Sequence, residues 1–186
     1  MSNRRLFISL ELPEEAKEIL AEKVNEIQNS QKSDWRWEDK TKYHLTLKFL
    51  GETPENKIPS ITDFIKSLEE TKKFSFQFDE LGIFKNKGKP TIFWAGIHFE
   101  NDIFQLVQKI EDKMFIFGYQ RENRIFHPHI TLLRIKDYYD HWLLNEYVGK
   151  LSGTDTFTAD RICLYQSILE RSGSKYNKII ETILSN

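Results

Sequence analysis

YHLTLKFLG (residues 43–51) and HPHITLLR (residues 127–134) each place a histidine two positions before a threonine, with one apolar residue between them. The pairs are His44 with Thr46 and His129 with Thr131, and 85 residues separate them in a chain of 186. Both stretches are rich in strand-forming residues, and Gly51 is expected to end the first strand. Side chains at positions i and i+2 of a strand project from the same face. We therefore expect each pair to project together from one strand, while Leu45, Leu47 and Phe49 point into their lobe.

The elements around the two motifs recur in the same order in both halves of the chain. Three landmarks keep nearly the same spacing. Ile92 follows Leu6 by 86 residues, and His129 follows His44 by 85. The strand-like stretch 156–169 begins 83 residues after the strand-like stretch 73–81 begins. Apolar residues at helical spacing predict helices at 13–27, 54–70, 101–114 and 138–151, and Asn101 or Asp102 can cap the third of these. The pattern predicts a duplicated strand-helix-strand-helix-strand unit.

The segment 82–90 (GIFKNKGKP) is interpreted as a loop that joins a hairpin. No low-complexity linker separates the halves. We expect one domain, residues 1–186, made of two pseudo-symmetric lobes at roughly 1–85 and 86–186, an arrangement that leaves room for strands to be exchanged between them.

Composition excludes several classes of protein. The 39% hydrophobic content argues against a disordered chain, and a net charge of -1 offers no basic field for a long stretch of nucleic acid, although a short one could bind a local cluster. Cys163 is the single cysteine, which fits a reducing compartment, and its strand-like neighbours indicate a buried structural thiol. Without a signal sequence or an apolar span, we expect a cytoplasmic monomer that does not enter a membrane.

Two histidines and two threonines around one cleft suit chemistry at a phosphate. If an approximate two-fold axis relates the lobes, the two strand faces meet, and one imidazole can be neutral while the other is charged, since the unperturbed pKa is about 6.5. Threonine hydroxyls can donate to anionic oxygens. In-line attack at phosphorus requires a proton acceptor and a proton donor on opposite sides of the atom, which such a cleft supplies.

Simpler interpretations compete for the individual residues. A single His-x-Thr on a strand usually marks an exposed or hydrogen-bonded histidine, and it is the second copy in register that favours function. His127 and His129 could bind a metal, but no Asp, Glu or Cys cluster accompanies them. His98 and His141 have no partner motif. Trp35 and Trp37 are interpreted as packing residues rather than base-stacking ones, and residues 172–178 (SGSKYNK) as a turn before the last strand.

With both motifs in place, the chain resembles the 2H phosphoesterase superfamily, named for its two HxTx motifs, and more narrowly the RNA 2′,3′-cyclic phosphodiesterases, also called 2′-5′ RNA ligases. The resemblance extends over nearly the whole chain and includes RLFISLELPEE, HLTLKFLGE, the LGIF to IFWAGI hairpin, FGYQRENRIFHPHITLLR, LYQSIL and GSKY. Residues 123–126 (NRIF) depart from it, because relatives often carry Arg-Pro-Phe there.

The resemblance implies an α+β fold with two antiparallel sheets facing a central cleft, helices on the outside, and neither metal nor cofactor. It also implies that His44 is the general acid for the leaving 3′-oxygen, that His129 is the general base for water, and that Thr46, Thr131 and Arg134 bind the phosphate. Arg134 has the opposite parity to His129 in a regular strand, so it can reach the cleft only through a bulge or at the strand end.

The implied substrates are RNA ends or nucleotides that carry a 2′,3′-cyclic phosphate, and the implied product is a 2′-phosphomonoester. Two alternatives remain open from the sequence. The same acid-base pair could catalyse the reverse reaction, 2′-5′ ligation of RNA such as tRNA halves. A module that binds RNA ends without catalysis is the other alternative, although binding alone does not require two titrating imidazoles.

Overall fold

The computed structural model describes residues 2–31, 35–135, 141–149, 151, 155–171 and 173–186. Within these residues the chain forms eight β-strands and three α-helices: β1 Asn3–Glu11, α1 Glu14–Gln31, β2 His44–Pro54, α2 Ile58–Lys66, β3 Phe74–Asn86, β4 Lys89–Phe99, α3 Ile103–Ile116, β5 His129–Arg134, β6 Phe157–Ala159, β7 Arg161–Glu170 and β8 Gly173–Ile183. Short 3-10 helices cover Lys40–Lys42, Glu55–Lys57 and His141–Glu146. None of the described helices has the length and apolar content needed to cross a membrane.

The strands form two four-stranded sheets with the orders β2-β1-β7-β8 and β5-β4-β3-β6. All of the pairings between neighbouring strands are antiparallel. The predicted fold class, α+β with two antiparallel sheets, is confirmed. Each sheet takes strands from both halves of the chain, since β3 pairs with β4 in the second sheet, while β7 pairs with β1 in the first.

The two motif strands lie at the edges of their sheets, and these edges face each other. β2 is the first strand of one sheet, β5 is the first strand of the other, and the two strands contact one another. A short extended segment reinforces the contact, because Trp37 pairs with Leu133 and the backbone N–H of Glu38 donates to the carbonyl of Leu132 at 2.8 Å. The two sheet edges therefore bring His44 and His129 close together.

The helices bury the faces that their sequence periodicity predicts. In α1 the buried residues recur every three or four positions, which places them on one side of the helix: Ala16, Leu20, Val24 and Ile27. In α3 the predicted cap is confirmed, since the Asp102 carboxylate accepts from the backbone N–H groups of Phe104 and Gln105. α3 is also joined to β2, because the nearly buried Lys48 ammonium donates to Glu111 at 2.7 Å and to the Gln120 carbonyl at 3.0 Å.

Several element boundaries differ from the sequence predictions. The predicted loop at 82–90 is instead a tight hairpin, because β3 continues to Asn86. Only Lys87 and Gly88, with φ of 49° and 79°, form the turn. Positive φ at both positions is the geometry that suits the right-handed twist of the flanking strands. The predicted strand 156–169 breaks at Asp160, where the chain passes from the second sheet to the first.

The end of β2 and the last two predicted elements also differ. Gly51 does not end β2; with φ of 67° it follows a bulge, and the strand continues to Pro54. The predicted helix at 138–151 begins in residues outside the described ones, and its described part starts as the 3-10 helix His141–Glu146. The predicted turn at 172–178 is wrong, because β8 already begins at Gly173.

Candidate active site

The first motif presents its histidine in a fixed orientation. The Nδ1 atom of His44 lies 2.6 Å from the carbonyl oxygen of Lys42, and its Nε2 atom lies 3.0 Å from the Thr46 hydroxyl. Since a carbonyl only accepts, Nδ1 carries a proton and donates it to Lys42. In the neutral imidazole Nε2 then accepts from the Thr46 hydroxyl, and in the charged form Nε2 is a second donor.

The second motif repeats the arrangement. The Nδ1 atom of His129 donates to the carbonyl of His127 at 2.7 Å, again two residues earlier in the chain. The same tautomer results, with the proton on Nδ1 and the lone pair on Nε2. Because both histidines begin their strands, both carbonyls belong to the segments that lead into the strands, where backbone acceptors are not used by the sheet ladder.

A bulge in each motif strand decides which later side chains reach the cleft. In β5, Thr131 pairs with Trp94 and Leu133 with Phe93, so Leu132 is an extra residue and the alternation is shifted. The shift turns Arg134 to the same side as His129. A bulge was one of the two ways in which Arg134 was expected to reach the cleft.

β2 contains the equivalent bulge. Ser9 pairs with Thr46 and Ile8 with Lys48, which leaves Leu47 as the extra residue. Phe49 therefore stands at the position that Arg134 occupies in the other motif, and it is 62% exposed rather than packed into its lobe.

A small space separates the two motifs. Nine residues line it, drawn from both sheets and from the segment before β2: Glu38, Lys42, His44, Thr46, Phe49, His129, Thr131, Arg134 and Tyr176. All five site residues predicted from the sequence are thus brought together. The free volume between them is only about 20 Å³, enough for a group of the size of a phosphate oxygen or a water molecule.

Arg134 is held by partners that the sequence did not indicate. Its Nε atom lies 3.3 Å from a carboxylate oxygen of Glu38, and its guanidinium donates to the hydroxyl of Tyr176. The Glu38 side chain is only 18% exposed, and its backbone is fixed to β5 by the hydrogen bond to Leu132. Arg134 is therefore oriented before any ligand arrives.

Both imidazoles are easier to deprotonate than a free histidine. Burial lowers the pKa of His44 to about 4, the hydrogen bond to the Lys42 carbonyl opposes this, and the positive charge of Arg134 adds to the lowering. Burial also lowers the pKa of His129, the hydrogen bond to the His127 carbonyl opposes this, and the electrostatic effects of His127 and Arg134 add to the lowering. In the free protein at neutral pH both imidazoles are therefore mainly uncharged.

Aromatic rings supply that burial, and they differ between the two histidines. The Phe7 ring stacks on His44 at 4.9 Å, and Tyr176 meets it edge-on at 5.5 Å. Around His129 stand Phe84 at 4.7 Å and Trp94 at 6.4 Å, both at steep angles. The indole of Trp94 crosses Gly82 so closely that a Cβ atom there would lie 2.1 Å from the ring.

A larger pocket of about 540 Å³ opens beside His44. Its walls come from the 3-10 helix before β2, from the end of β1 and from the β7-β8 pair: Glu11, Thr41, Lys42, Tyr43, His44, Tyr165, Glu170, Gly173, Ser174, Lys175, Tyr176 and Lys178. Lys42, His44 and Tyr176 line this pocket and also the space between the motifs, so the two adjoin.

Several residues of the site could not be predicted from the sequence motifs. Glu38, Lys42 and Tyr176 carry no motif, and only the tertiary structure brings them to the histidines. Phe49 could have been found, because it follows His44 by five positions, as Arg134 follows His129. The two motif strands contain equivalent bulges.

Other sequence interpretations are settled by the geometry. Cys163 is fully buried, and burial raises its pKa to about 12, so the structural interpretation of this thiol is confirmed. Trp37 packs edge-on against Phe93 at 5.9 Å, as predicted for a packing residue. His98 is exposed on β4. His141 has no described side chain.

The groups around the two histidines differ from the ligand set of a zinc site. The rings of His127 and His129 are 6.2 Å apart. Among the described residues, no group of three His, Cys, Asp or Glu side chains is arranged to hold a metal ion. A structural or catalytic zinc site uses at least three such protein ligands.

Comparison with known proteins places the chain among phosphoesterases. The model of the family described as LigT like Phosphoesterase matches residues 10–94 and 98–176. A Thermotoga maritima protein named RNA 2′,3′-cyclic phosphodiesterase is 30% identical over 179 residues, which are 95% of this chain and 94% of the relative. A Methanocaldococcus jannaschii protein of the same name is 28% identical over 95% of this chain and 99% of its own length.

Solved structures share the fold. A Thermus thermophilus protein superposes with a TM-score of 0.79 at 23% identity, over 96% of this chain and 97% of that one. LigT of E. coli, solved in complex with 3′-AMP, superposes with a TM-score of 0.78 at 21% identity over the full length of both chains. At these identities the likeness concerns the fold.

Proposed function

Because this chain belongs to the LigT-like phosphoesterase family, we propose that it hydrolyses 2′,3′-cyclic phosphates at the ends of RNA or on nucleotides to 2′-phosphomonoesters. One observation carries the proposal: the two His-x-Thr pairs, 85 residues apart in sequence, line a single small cleft together with Arg134. Curated relatives that align over almost the whole chain carry the name of this activity.

The roles of the histidines follow from in-line displacement at phosphorus. His129 uses the lone pair on Nε2 to take a proton from water as the new P–O bond forms. On the opposite side, protonated His44 donates its Nε2 proton to the 3′-oxygen as the P–O3′ bond breaks. After one turnover His129 carries a proton and His44 lacks one, so exchange with solvent restores the starting state. No cofactor enters this scheme.

Thr46 and Thr131 donate from their hydroxyl groups to the non-bridging phosphate oxygens. The guanidinium of Arg134 supplies the compensating positive charge, and it is already held in place by Glu38 and Tyr176. Preorganised donors stabilise the charge that develops in the transition state without having to reorient. The anionic substrate in turn raises the pKa of His44, which favours the protonated form that the acid role requires.

Ligation of a 5′-hydroxyl RNA end is the same chemistry in reverse, and the acid-base pair serves both directions. Hydrolysis is the favoured assignment because the space between the motifs accommodates a water molecule. Hydrolysis also needs no second RNA end. A binding module without catalysis would not require both imidazoles at this point.

The direct test is turnover of a 2′,3′-cyclic nucleotide by the purified protein in the presence of EDTA. We expect a 2′-phosphate product and undiminished activity in the chelator, since no metal ligand set accompanies the described site residues. His129→Gln is the control, because glutamine keeps a polar side chain but cannot act as a base. Activity that disappears in EDTA and returns with a divalent ion would contradict the proposal, as would formation of the 3′-phosphate.

A further inference from the structure

A carboxylate lines the space between the motifs, although a carboxylate repels phosphates. Glu38 is one of the residues around this space, together with both His-x-Thr pairs and Arg134. We propose that Glu38 sets the charge of the site so that it binds the singly charged cyclic phosphate in preference to the doubly charged product, and thereby favours product release. This inference rests on the proposed function.

The charges around the space favour a ligand with one negative charge. Among the described residues that line it, two are cations and one is an anion: Arg134, Lys42 and Glu38. At about pH 8 neither histidine of the motifs is charged in the free protein, since burial lowers the pKa of both. Two positive charges and one negative charge leave a single positive charge for the ligand. Without the Glu38 carboxylate, the site would have two.

Glu38 is held where its charge acts on both cations. One carboxylate oxygen lies 3.3 Å from the Nε atom of Arg134, and the other lies 3.9 Å from the Nζ atom of Lys42. The backbone N–H of Glu38 donates to the carbonyl of Leu132 at 2.8 Å, and its side chain is only 18% exposed. A phosphate that contacts Arg134 must therefore share the guanidinium with this carboxylate, and little water screens the repulsion between the two anions.

Substrate and product differ by one negative charge. A cyclic phosphodiester has a single ionised oxygen. During hydrolysis His129 takes one hydrogen of the attacking water and His44 protonates the 3′-oxygen, so the other hydrogen of the water stays on the new phosphate as a P–OH group. The pKa of such a group is about 6, so at about pH 8 its proton has dissociated to solvent and the product has two negative charges.

The carboxylate therefore acts differently on the two ligands. Coulomb repulsion is proportional to the charge of the ligand, so Glu38 repels the product about twice as strongly as the substrate. If the carboxylate were absent, Arg134 and Lys42 would both attract the dianion without opposition, and the product would dissociate slowly. A role in orienting Arg134 alone would not distinguish the two ligands.

The test measures two dissociation constants in the His129→Gln variant, which lacks the base and should bind the substrate without turning it over. The ligands are adenosine 2′,3′-cyclic phosphate and adenosine 2′-phosphate, and calorimetry at about pH 8 gives the ratio of the product Kd to the substrate Kd. Adding Glu38→Gln should lower this ratio by about tenfold, the order expected for one unit charge across a partly buried site. Adding Glu38→Asp, which keeps the charge, should preserve most of the ratio.

A matched control and a second measurement accompany this test. Glu69→Gln removes the same charge from an exposed position after α2, outside the residues that line the space, and should leave the ratio unchanged. In the enzyme that retains His129, the inhibition constant of adenosine 2′-phosphate, divided by the KM of the cyclic nucleotide, should fall about tenfold in Glu38→Gln.

The outcomes separate this inference from the proposed function. If the wild-type enzyme does not turn over the cyclic nucleotide, the proposed function fails. If it does, and Glu38→Gln changes both dissociation constants by the same factor or behaves like Glu69→Gln, the function stands and the selection by charge is wrong. A Glu38→Asp variant that loses the ratio as fully as Glu38→Gln would also overturn the inference, because the carboxylate charge would then not be the cause.

Discussion

The depressed pKa values of the two histidines predict an unusual pH profile. Burial and the charge of Arg134 lower the pKa of His44 to about 4, and the pKa of His129 also lies below its ordinary value of 6.5. The active form of the free enzyme has a proton on His44 and none on His129. With a pKa of about 4, only about one His44 in a thousand is protonated at pH 7.

The magnitude follows from the proton count. The parameter kcat/KM reports the free enzyme, and the cyclic phosphate keeps a single negative charge throughout the range, so only the histidines titrate. Above the higher of the two pKa values the active form loses one proton, and kcat/KM falls tenfold for each pH unit. Because both pKa values lie below 6.5, kcat/KM should fall about 100-fold between pH 6.5 and 8.5.

The assay measures initial rates on a cyclic nucleotide from pH 4.5 to 9, with kcat and kcat/KM extracted separately. The alkaline limb of kcat should lie at higher pH than that of kcat/KM, because a bound phosphate anion raises the pKa of both histidines. Arg134→Gln removes a positive charge that lowers both pKa values, so it should shift the limb of kcat/KM upward, whatever it does to the absolute rate.

A flat kcat/KM between pH 6.5 and 8.5 would refute this reasoning, because it would mean that neither histidine titrates as the acid or the base. An alkaline limb that stays in place in Arg134→Gln would refute the electrostatic part alone.

Two further predictions concern the histidines and the residues that support them. His44→Ala should lose about 10² to 10⁴ in kcat/KM on a cyclic nucleotide and recover much of this loss on an aryl phosphodiester, whose leaving group needs no proton. His129→Ala should stay impaired on both substrates. If His129→Ala were the variant that recovers on the aryl phosphodiester, the assigned roles would be reversed. Gly82→Ala should lower the free energy of unfolding in urea by about 1 to 3 kcal/mol, since its Cβ would lie 2.1 Å from the buried Trp94 ring. Adding Trp94→Phe should restore part of that loss, and a double variant as unstable as Gly82→Ala would contradict the proposed clash.

Local pattern was sufficient for those parts of the fold that neighbouring residues decide. The spacing of Ala16, Leu20 and Val24 predicts the buried face of α1, and the carboxylate of Asp102 predicts the start of α3, because both depend on interactions within about one or two helical turns. The same holds for the shared direction of His44 and Thr46, which the period of a strand determines.

The sequence also determined that two His-x-Thr pairs exist and that they are equally spaced from similar strands and helices. Symmetry between the halves then led to the expectation of a common cleft. The parity of Arg134 showed that a bulge or a strand end was needed, and the structure places the bulge at Leu132. The equivalent bulge at Leu47, which exposes Phe49, was found only in the structure.

Only the tertiary structure decided the depth and the asymmetry of the site. Glu38, Lys42 and Tyr176 come from a segment without motifs and from the last strand, and their approach to His44 depends on how β8 and the chain before β2 pack. The pKa of His44 likewise depends on burial by Phe7 and Tyr176, which are distant in sequence. Desolvation and long-range charge are properties of the packed whole, whereas periodicity and caps are properties of a few neighbouring residues, so the motifs could be found in the sequence and their surroundings could not.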